Sequence, residues 1–273
     1  MHMRDFPSTR HPSPLRRPAI AACCALLLGA CTVKEDREPC PCYLNVSFRD
    51  REHITSEVGI LGWDATEVFR AGIDIADHDP YWVKAVRKGT FRLAAYTGAA
   101  GTLPADHYAV IPPGSQSDSL YAFHAEVDAT GEMAFADVVL RKQFCTVHLD
   151  LRKSAEQMRD FRFLVEGGTC GFDLLSFEAV PGIFRHEPSA RPGERVVDFR
   201  IPRQADESMT VTAWYGGLDA GTFPLGSYIA RTGYNWSAEE LQDIYVVIDL
   251  ALGQVTVSVD DWEDGTVFTF IEQ

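Results

Sequence analysis

Along most of the chain apolar and polar residues alternate one by one, the period of a strand with a single buried face. The alternation is clear in residues 43–48, 119–127 and 144–151, and in 255–259, where Val255, Val257 and Val259 share one face opposite Thr256 and Ser258. Residues 58–63 form a short apolar run, and 161–166, 195–201, 209–215 and 267–271 are further strand candidates. Two runs joined by a glycine-bearing turn predict a hairpin. That pattern occurs at 81–86 and 90–96 through Lys88-Gly89, at 119–127 and 133–140 around Gly131, and at 245–250 and 255–259 through Leu252-Gly253. Helical signals are slight: the capping pairs Ser154/Gln157 and Ser237/Glu240 predict single turns at 155–160 and 238–242. The acid-rich segment 64–80 reads as a solvated loop, as do 98–118 and 181–194 from their Gly and Pro content, and Gly167, Gly168 and Gly171 predict a turn around Cys170. Short strands in two blocks predict an all-β protein of two tandem β-sandwich domains, 43–141 and 142–273.

The first 42 residues break this pattern. Arg4, Arg10, Arg16 and Arg17 precede an apolar run over 19–30, which ends in Leu28-Gly29-Ala30-Cys31. The run is shorter than the roughly 20 apolar residues a membrane span needs. A basic leader, a short apolar stretch and small residues before a cut make a secretory signal, here residues 1–30. Cysteine directly after the small pair is the lipobox arrangement. The Cys31 sulfur takes a diacylglycerol, the peptide before it is cut, and the new amino group is acylated. Each buried methylene contributes about 0.8 kcal/mol and one chain alone holds only marginally, so three chains would keep the protein on its membrane. Residues 31–42 then form a lipidated tether. Within it, Lys34-Glu35-Asp36 resembles the charged export signal that sends Bacteroidetes lipoproteins to the outer face of the outer membrane.

Composition narrows the partners. Hydrophobic residues make up 46% of the chain, enough for a packed core, and the net charge is −14. Losing the basic leader makes the mature chain more acidic still. Such a surface repels phosphate backbones and excludes nucleic acid as a natural partner.

Cys40, Cys42, Cys145 and Cys170 lie beyond the lipobox. A cell-envelope location permits disulfides, four cysteines allow three pairings, and the sequence does not choose. A Cys40–Cys42 bridge would be strained by its single intervening residue, which leaves pairing of either with Cys145 or Cys170 open. Cys-Pro-Cys lacks the spacing of a zinc knuckle, so no metal is expected. Asp74, Asp77 and Asp79 lack the glycine turn and closing glutamate of a calcium loop, and 260–265 reads as an acidic turn around Trp262. Zinc-protease, nucleophile-elbow, phosphate-loop and dinucleotide-binding motifs are all missing. Neither a cofactor nor an enzymatic activity is expected. A pair of carboxylates brought together in space, as in a glycosidase, is the residual enzymatic reading.

Several stretches carry a resemblance in their order and spacing. They are the lipobox with Lys34-Glu35-Asp36, Cys40-Pro41-Cys42 opening the first strand, Tyr81-Trp82-Val83-Lys84, and Leu140-Arg141-Lys142-Gln143-Phe144. Further along come Phe199-Arg200-Ile201-Pro202-Arg203-Gln204, the Pro224 to Ile229 stretch, Trp236 to Asp243, and Val259-Asp260-Asp261-Trp262. Together they resemble the FimB-like fimbrial anchor family of Bacteroidales, the type V pilus anchors. The resemblance implies two transthyretin-like β-sandwiches. It also implies an outer-membrane lipoprotein that holds a fimbria to the cell, limits its length, and has a stalk or accessory pilin as partner. Only Cys31 transfers as a site, for lipidation by palmitate-type chains.

By analogy with that family, stalk pilins lose a first strand and a neighbour's strand fills the groove, whereas an anchor keeps its own. The retained strand here would be residues 43–48. The tail strand, 267–271, is either donated or completes its own sheet. The alternative function is glycan binding at the surface, with Trp63, Trp82, Trp214 and Trp236 as stacking platforms.

Overall fold

The alternating segments pair into four sheets, each covering one side of an apolar layer. The computed structural model describes residues 40–49, 51, 54, 57–78, 80–99, 106–152, 161–189, 196–249, 254–259 and 268–271. Strands of the first half are β1 (Cys42–Arg49), β2 (Val58–Trp63), β3 (Glu67–Ile73), β4 (Trp82–Val86), β5 (Thr90–Thr97), β6 (Tyr108–Val110), β7 (Tyr121–Asp128), β8 (Met133–Val139) and β9 (Arg141–Lys142). The second half has β10 (Phe144–Arg152), β11 (Phe161–Asp173), β12 (Ala179–His186), β13 (Val196–Pro202), β14 (Thr210–Tyr215), β15 (Leu218–Phe223), β16 (Ile244–Asp249), β17 (Gln254–Val259) and β18 (Phe268–Ile271). A seven-residue helix, α1 (Leu225–Arg231), follows β15.

In the first half a three-stranded sheet, β4-β1-β8, packs against a five-stranded one, β3-β2-β5-β7-β9. Leu44, Val46 and Val138 from the small sheet meet Val58, Ile60, Phe91 and Leu93 from the large one in a shared core. The second half repeats the plan with sheets β13-β10-β16-β17-β18 and β12-β11-β14-β15 around Val147, Leu149, Phe163, Phe199 and Val246. A third apolar cluster joins the halves: Leu61, Ala94, Tyr96 and Ala122 meet Phe172, Leu174 and Leu175 at the end of β11. The connectivity is duplicated. β1 runs antiparallel to β4 and parallel to β8, as β10 runs antiparallel to β13 and parallel to β16.

Strand positions follow the alternation closely, but pairing does not. β4 and β5, read as a hairpin, lie in different sheets, and so do β7 and β8. A short turn can carry a chain from one layer of a sandwich to the other, and local sequence does not distinguish this from a hairpin. The third predicted hairpin, β16–β17, is formed. Within 64–80, read as a loop, β3 pairs with β2 and is followed by a short 3-10 turn, Ile75–Asp77. Inside 98–118, β6 adds to the far end of β11.

The glycines at 167, 168 and 171 do not turn the chain. β11 runs through them with register shifts, and Pro181 and Gly182 lie in its edge partner β12, where a missing N–H is tolerated. No helix forms at 238–242, because backbone carbonyls there accept from Arg203 and Gln143 side chains instead. The predicted turns at 155–160 and 260–265 lie outside the described residues. Among the described residues, no helix is long and apolar enough to cross a membrane.

Candidate functional site

The first strand after the tether is the structural centre of its sheet. β1 sends Cys42, Leu44, Val46 and Phe48 into the core, and all four are buried. Its registers with β4 (Leu44↔Lys84, Val46↔Trp82) and β8 (Leu44↔Ala134, Val46↔Ala136, Phe48↔Val138) use both of its edges. The chain therefore fills this position itself. Small residues on β8, Ala134 and Ala136, leave room for the larger Leu44 and Val46 beside them.

The opposite face of the same sheet is apolar and open to solvent. Tyr43, Tyr81, Val83, Met133 and Phe135 are all 43–62% exposed. Registers place Tyr43 beside Met133, and Asn45 between Val83 and Phe135. The rings of Tyr81 and Phe135 meet edge to face at 6.2 Å. Asn45 is buried and donates to the carbonyls of Tyr43 and Ala134. At one end Asp137 accepts from both Ser47 and Arg49.

At the C-terminus, β18 pairs antiparallel with β17 and completes its own sheet.

Motif stretches that are far apart in sequence converge where the chain passes from the first half to the second. Arg203 is 5% exposed and donates to Gln143 Oε1 at 2.6 Å, to the Ala238 carbonyl at 2.8 Å and to the Trp236 carbonyl. Gln143 Nε2 donates to the carbonyls of Arg141 and Glu239. Lys142 Nζ lies 2.6 Å from Asp243, which also accepts from the Thr146 amide at 2.6 Å. Burial shifts the Arg203 guanidinium below its ordinary range. The converging groups serve as a clamp: Arg203 and Gln143 hold each other and the backbone carbonyls of Arg141, Trp236, Ala238 and Glu239, and Lys142 and Asp243 form an ion pair that also holds the Thr146 amide.

Cys31 lies outside the described residues. Cys40, Cys42, Cys145 and Cys170 are all free thiols. Cys42 belongs to the core of the first half and Cys145 to that of the second, so the two buried sulfurs pack as small apolar groups in separate layers. Burial pushes the thiol pKa of both upward, most strongly for Cys145, which also faces the Asp243 carboxylate. Asp74 is spent on the Ala76 amide as a turn cap, while Asp79 and the acids of 260–265 lie outside the described residues.

The four tryptophans do not form a stacking row. Trp82 is 7% exposed in the first core, Trp236 packs against the second, and Trp63 and Trp214 are half-buried on separate strands. A cleft of about 420 Å³ is lined by Trp63, Arg92, His107, Glu126 and Asp173. There His107 lies 4.9 Å from the Trp63 ring and 3.7 Å from Asp173.

No family model and no curated protein matches the sequence. Solved structures do match the fold. A candidate polysaccharide-binding protein (DUF1812) from Bacteroides thetaiotaomicron superposes with TM-score 0.57 at 13% identity, covering 85% of this chain and 98% of that one. A candidate adhesin from Bacteroides ovatus gives 0.56 at 11% identity, with 85% and 96% covered. The fimbrial anchor protein Mfa2 from Porphyromonas gingivalis gives 0.53 at 12% identity, with 82% and 98% covered. At these identities the likeness is one of architecture: the chain has the all-β, tandem-sandwich fold shared by a Porphyromonas fimbrial anchor and by candidate Bacteroides adhesins.

Proposed function

We propose that this protein is a cell-surface lipoprotein that anchors a fimbria to the outer membrane and limits its growth. The chain would be held by lipid on Cys31, spaced by the tether 31–42, and built from sandwich domains 43–141 and 142–273. The observation that carries the reading is the self-filled position of β1. A sheet lacking that strand would expose Val138 and the first core together with unpaired backbone groups, and would accept a neighbour's strand. With β1 supplied in cis, that route for adding a subunit is closed, which suits a base rather than a repeating stalk. The partner is a stalk or accessory pilin, bound by non-covalent β-strand pairing. The matching folds of an anchor and of adhesins support a fimbrial or adhesive role.

The test is deletion of the gene with electron microscopy of the cell surface, beside a Cys31→Ala strain. Deletion is expected to release loose, overlong fimbriae. The Cys31→Ala protein is expected to lose palmitate label and leave the membrane fraction. Attached fimbriae of normal length in the deletion strain would refute the anchoring role.

A further inference from the structure

The cleft beside Trp63 lies where the large sheet of the first half emerges from under the second half. Registers set Trp63 on β2 beside Arg92 on β5, and Arg92 beside Glu126 on β7, so the three form one row across the sheet. Leu61 and Ala94, two residues away on the same face, are covered by Phe172, Leu174 and Leu175 in the cluster that joins the halves. The row borders that covered patch, and the end of β11 with the residue before β6 forms the wall beside it. Backbone fixes this wall. Asp173 pairs with Tyr108 between β11 and β6, and its Oδ1 accepts from the Leu175 and Ser176 amides at 2.8 and 3.3 Å. The His107 carbonyl accepts from the Leu174 amide at 3.0 Å, and its ring lies 4.2 Å from that of Tyr108 as well as against Trp63.

The polar groups of the cleft are unengaged. Arg92 and Glu126 stand opposite each other, yet neither forms an ion pair or a hydrogen bond among the described residues. His107 Nδ1 is buried without a hydrogen-bond partner among them. A buried polar atom without a partner is costly, and this set holds donors and acceptors side by side. We propose that the cleft binds a neutral sugar unit of a glycan chain. The sugar ring stacks on the Trp63 indole, and its hydroxyls are shared among Glu126, Asp173, Arg92 and His107 Nδ1. The cleft volume of about 420 Å³ falls within the range of small-molecule sites, about 300–1,000 Å³.

Charge selects against other small ligands. A cation would need the indole face and a carboxylate together, but the Arg92 guanidinium stands between Trp63 and Glu126 in the row. An anion would meet Arg92 but also the carboxylates of Glu126 and Asp173. Asp64, at the same cleft, is already paired with Arg87. A sugar hydroxyl is uncharged, donates to a carboxylate and accepts from a guanidinium. Trp63 serves here alone rather than in a row of tryptophans, and the site requires neither the lipid nor the anchoring role.

The experiment is isothermal titration calorimetry on the full chain, held in a detergent without a sugar headgroup. The probes are neutral trisaccharides built from hexoses, pentoses or N-acetylhexosamines, with trigalacturonic acid and trilysine as the anionic and cationic comparisons. The expected result is saturable binding of at least one neutral trisaccharide at micromolar to millimolar concentration, at least tenfold tighter than either charged probe. Trp63→Ala, Arg92→Ala and Glu126→Ala are each expected to weaken it at least tenfold. Leu218→Ala, at a position 76% exposed on β15, is expected to bind like the parent. Urea unfolding establishes that each variant is folded. Arg92 and Glu126 are exposed, so their variants carry the test even if Trp63→Ala does not fold. Binding of no neutral trisaccharide, tighter binding of a charged probe, or parent-like binding by the folded cleft variants overturns the proposal.

Discussion

Truncating Leu44 to alanine should destabilise the first half strongly, although residue 44 lies near the beginning of its strand, β1. Leu44 is fully buried, flanked by Lys84 on β4 and Ala134 on β8, and packed in the core between the two sheets. Removing three carbons at about 0.8 kcal/mol each costs about 2.4 kcal/mol. The backbone is hydrogen-bonded on both sides and cannot collapse inward, so part of the cavity persists and the total should reach about 3 kcal/mol, inside the range of roughly 2–5 found for such changes. Tyr43→Ala is the matched control. Its side chain is 51% exposed on the outward face and its loss should cost less than about 1 kcal/mol.

The assay is equilibrium urea unfolding followed by tryptophan fluorescence. Trp82 is buried in the same core as Leu44 and reports on it directly. A Leu44→Ala protein within about 0.5 kcal/mol of the parent, or a Tyr43→Ala protein as unstable as Leu44→Ala, would refute the inward packing of β1. The magnitude also bears on function. Leu44, Val46 and Phe48 together bury about 4.5–9 kcal/mol of side chain, comparable with the whole stability of a domain, about 5–15 kcal/mol. The first half should not survive loss of β1 unless another strand replaces it.

Three further outcomes follow from the packing. Arg203→Met should cost about 1–3 kcal/mol in the same assay, because the buried Gln143 Oε1 loses its donor along with the part-buried carbonyls of Trp236 and Ala238; a neutral effect would show that the clamp contributes nothing. Gly59→Ala should destabilise by about 1–3 kcal/mol, since an added Cβ would lie 2.1 Å from the Tyr96 ring across the β2–β5 pair, and Gly59→Ala combined with Tyr96→Leu should recover part of the loss. At pH 8 iodoacetamide should label Cys40 and Cys170 in the native protein, leaving Cys42 and Cys145 unmodified until urea is added, because burial holds both buried thiols protonated. The sign for stability follows. The unfolded Cys145 thiol ionises near 8.5 while the folded one stays neutral, so the unfolded state binds fewer protons there and stability falls as pH rises above that value. Cys145→Ala should flatten that alkaline decline.

What the residues decided alone is the set of strands and their buried faces. Alternation is a local property, because successive side chains point to opposite sides of a strand. Hence 43–48, 144–151 and 255–259 could be placed without a structure, with Val255 and Val257 on the buried side. Pairing is not local. Lys88-Gly89 and Gly131 looked like hairpin turns, yet each carries the chain between opposite layers, because the apolar faces that complete each layer come from segments far along the chain. Tertiary contacts also explain the misread segments. β3 is a strand because β2 lies beside it, the glycines of β11 stay extended because β12 and β6 hold them, and 238–242 is not helical because Arg203 and Gln143 take its carbonyls. The candidate site divides the same way. β1 was legible from its alternation, whereas the apolar face around Phe135 exists only once the parallel β1–β8 pairing is made. No spacing within residues 133–139 encodes that β1 lies beside them in parallel.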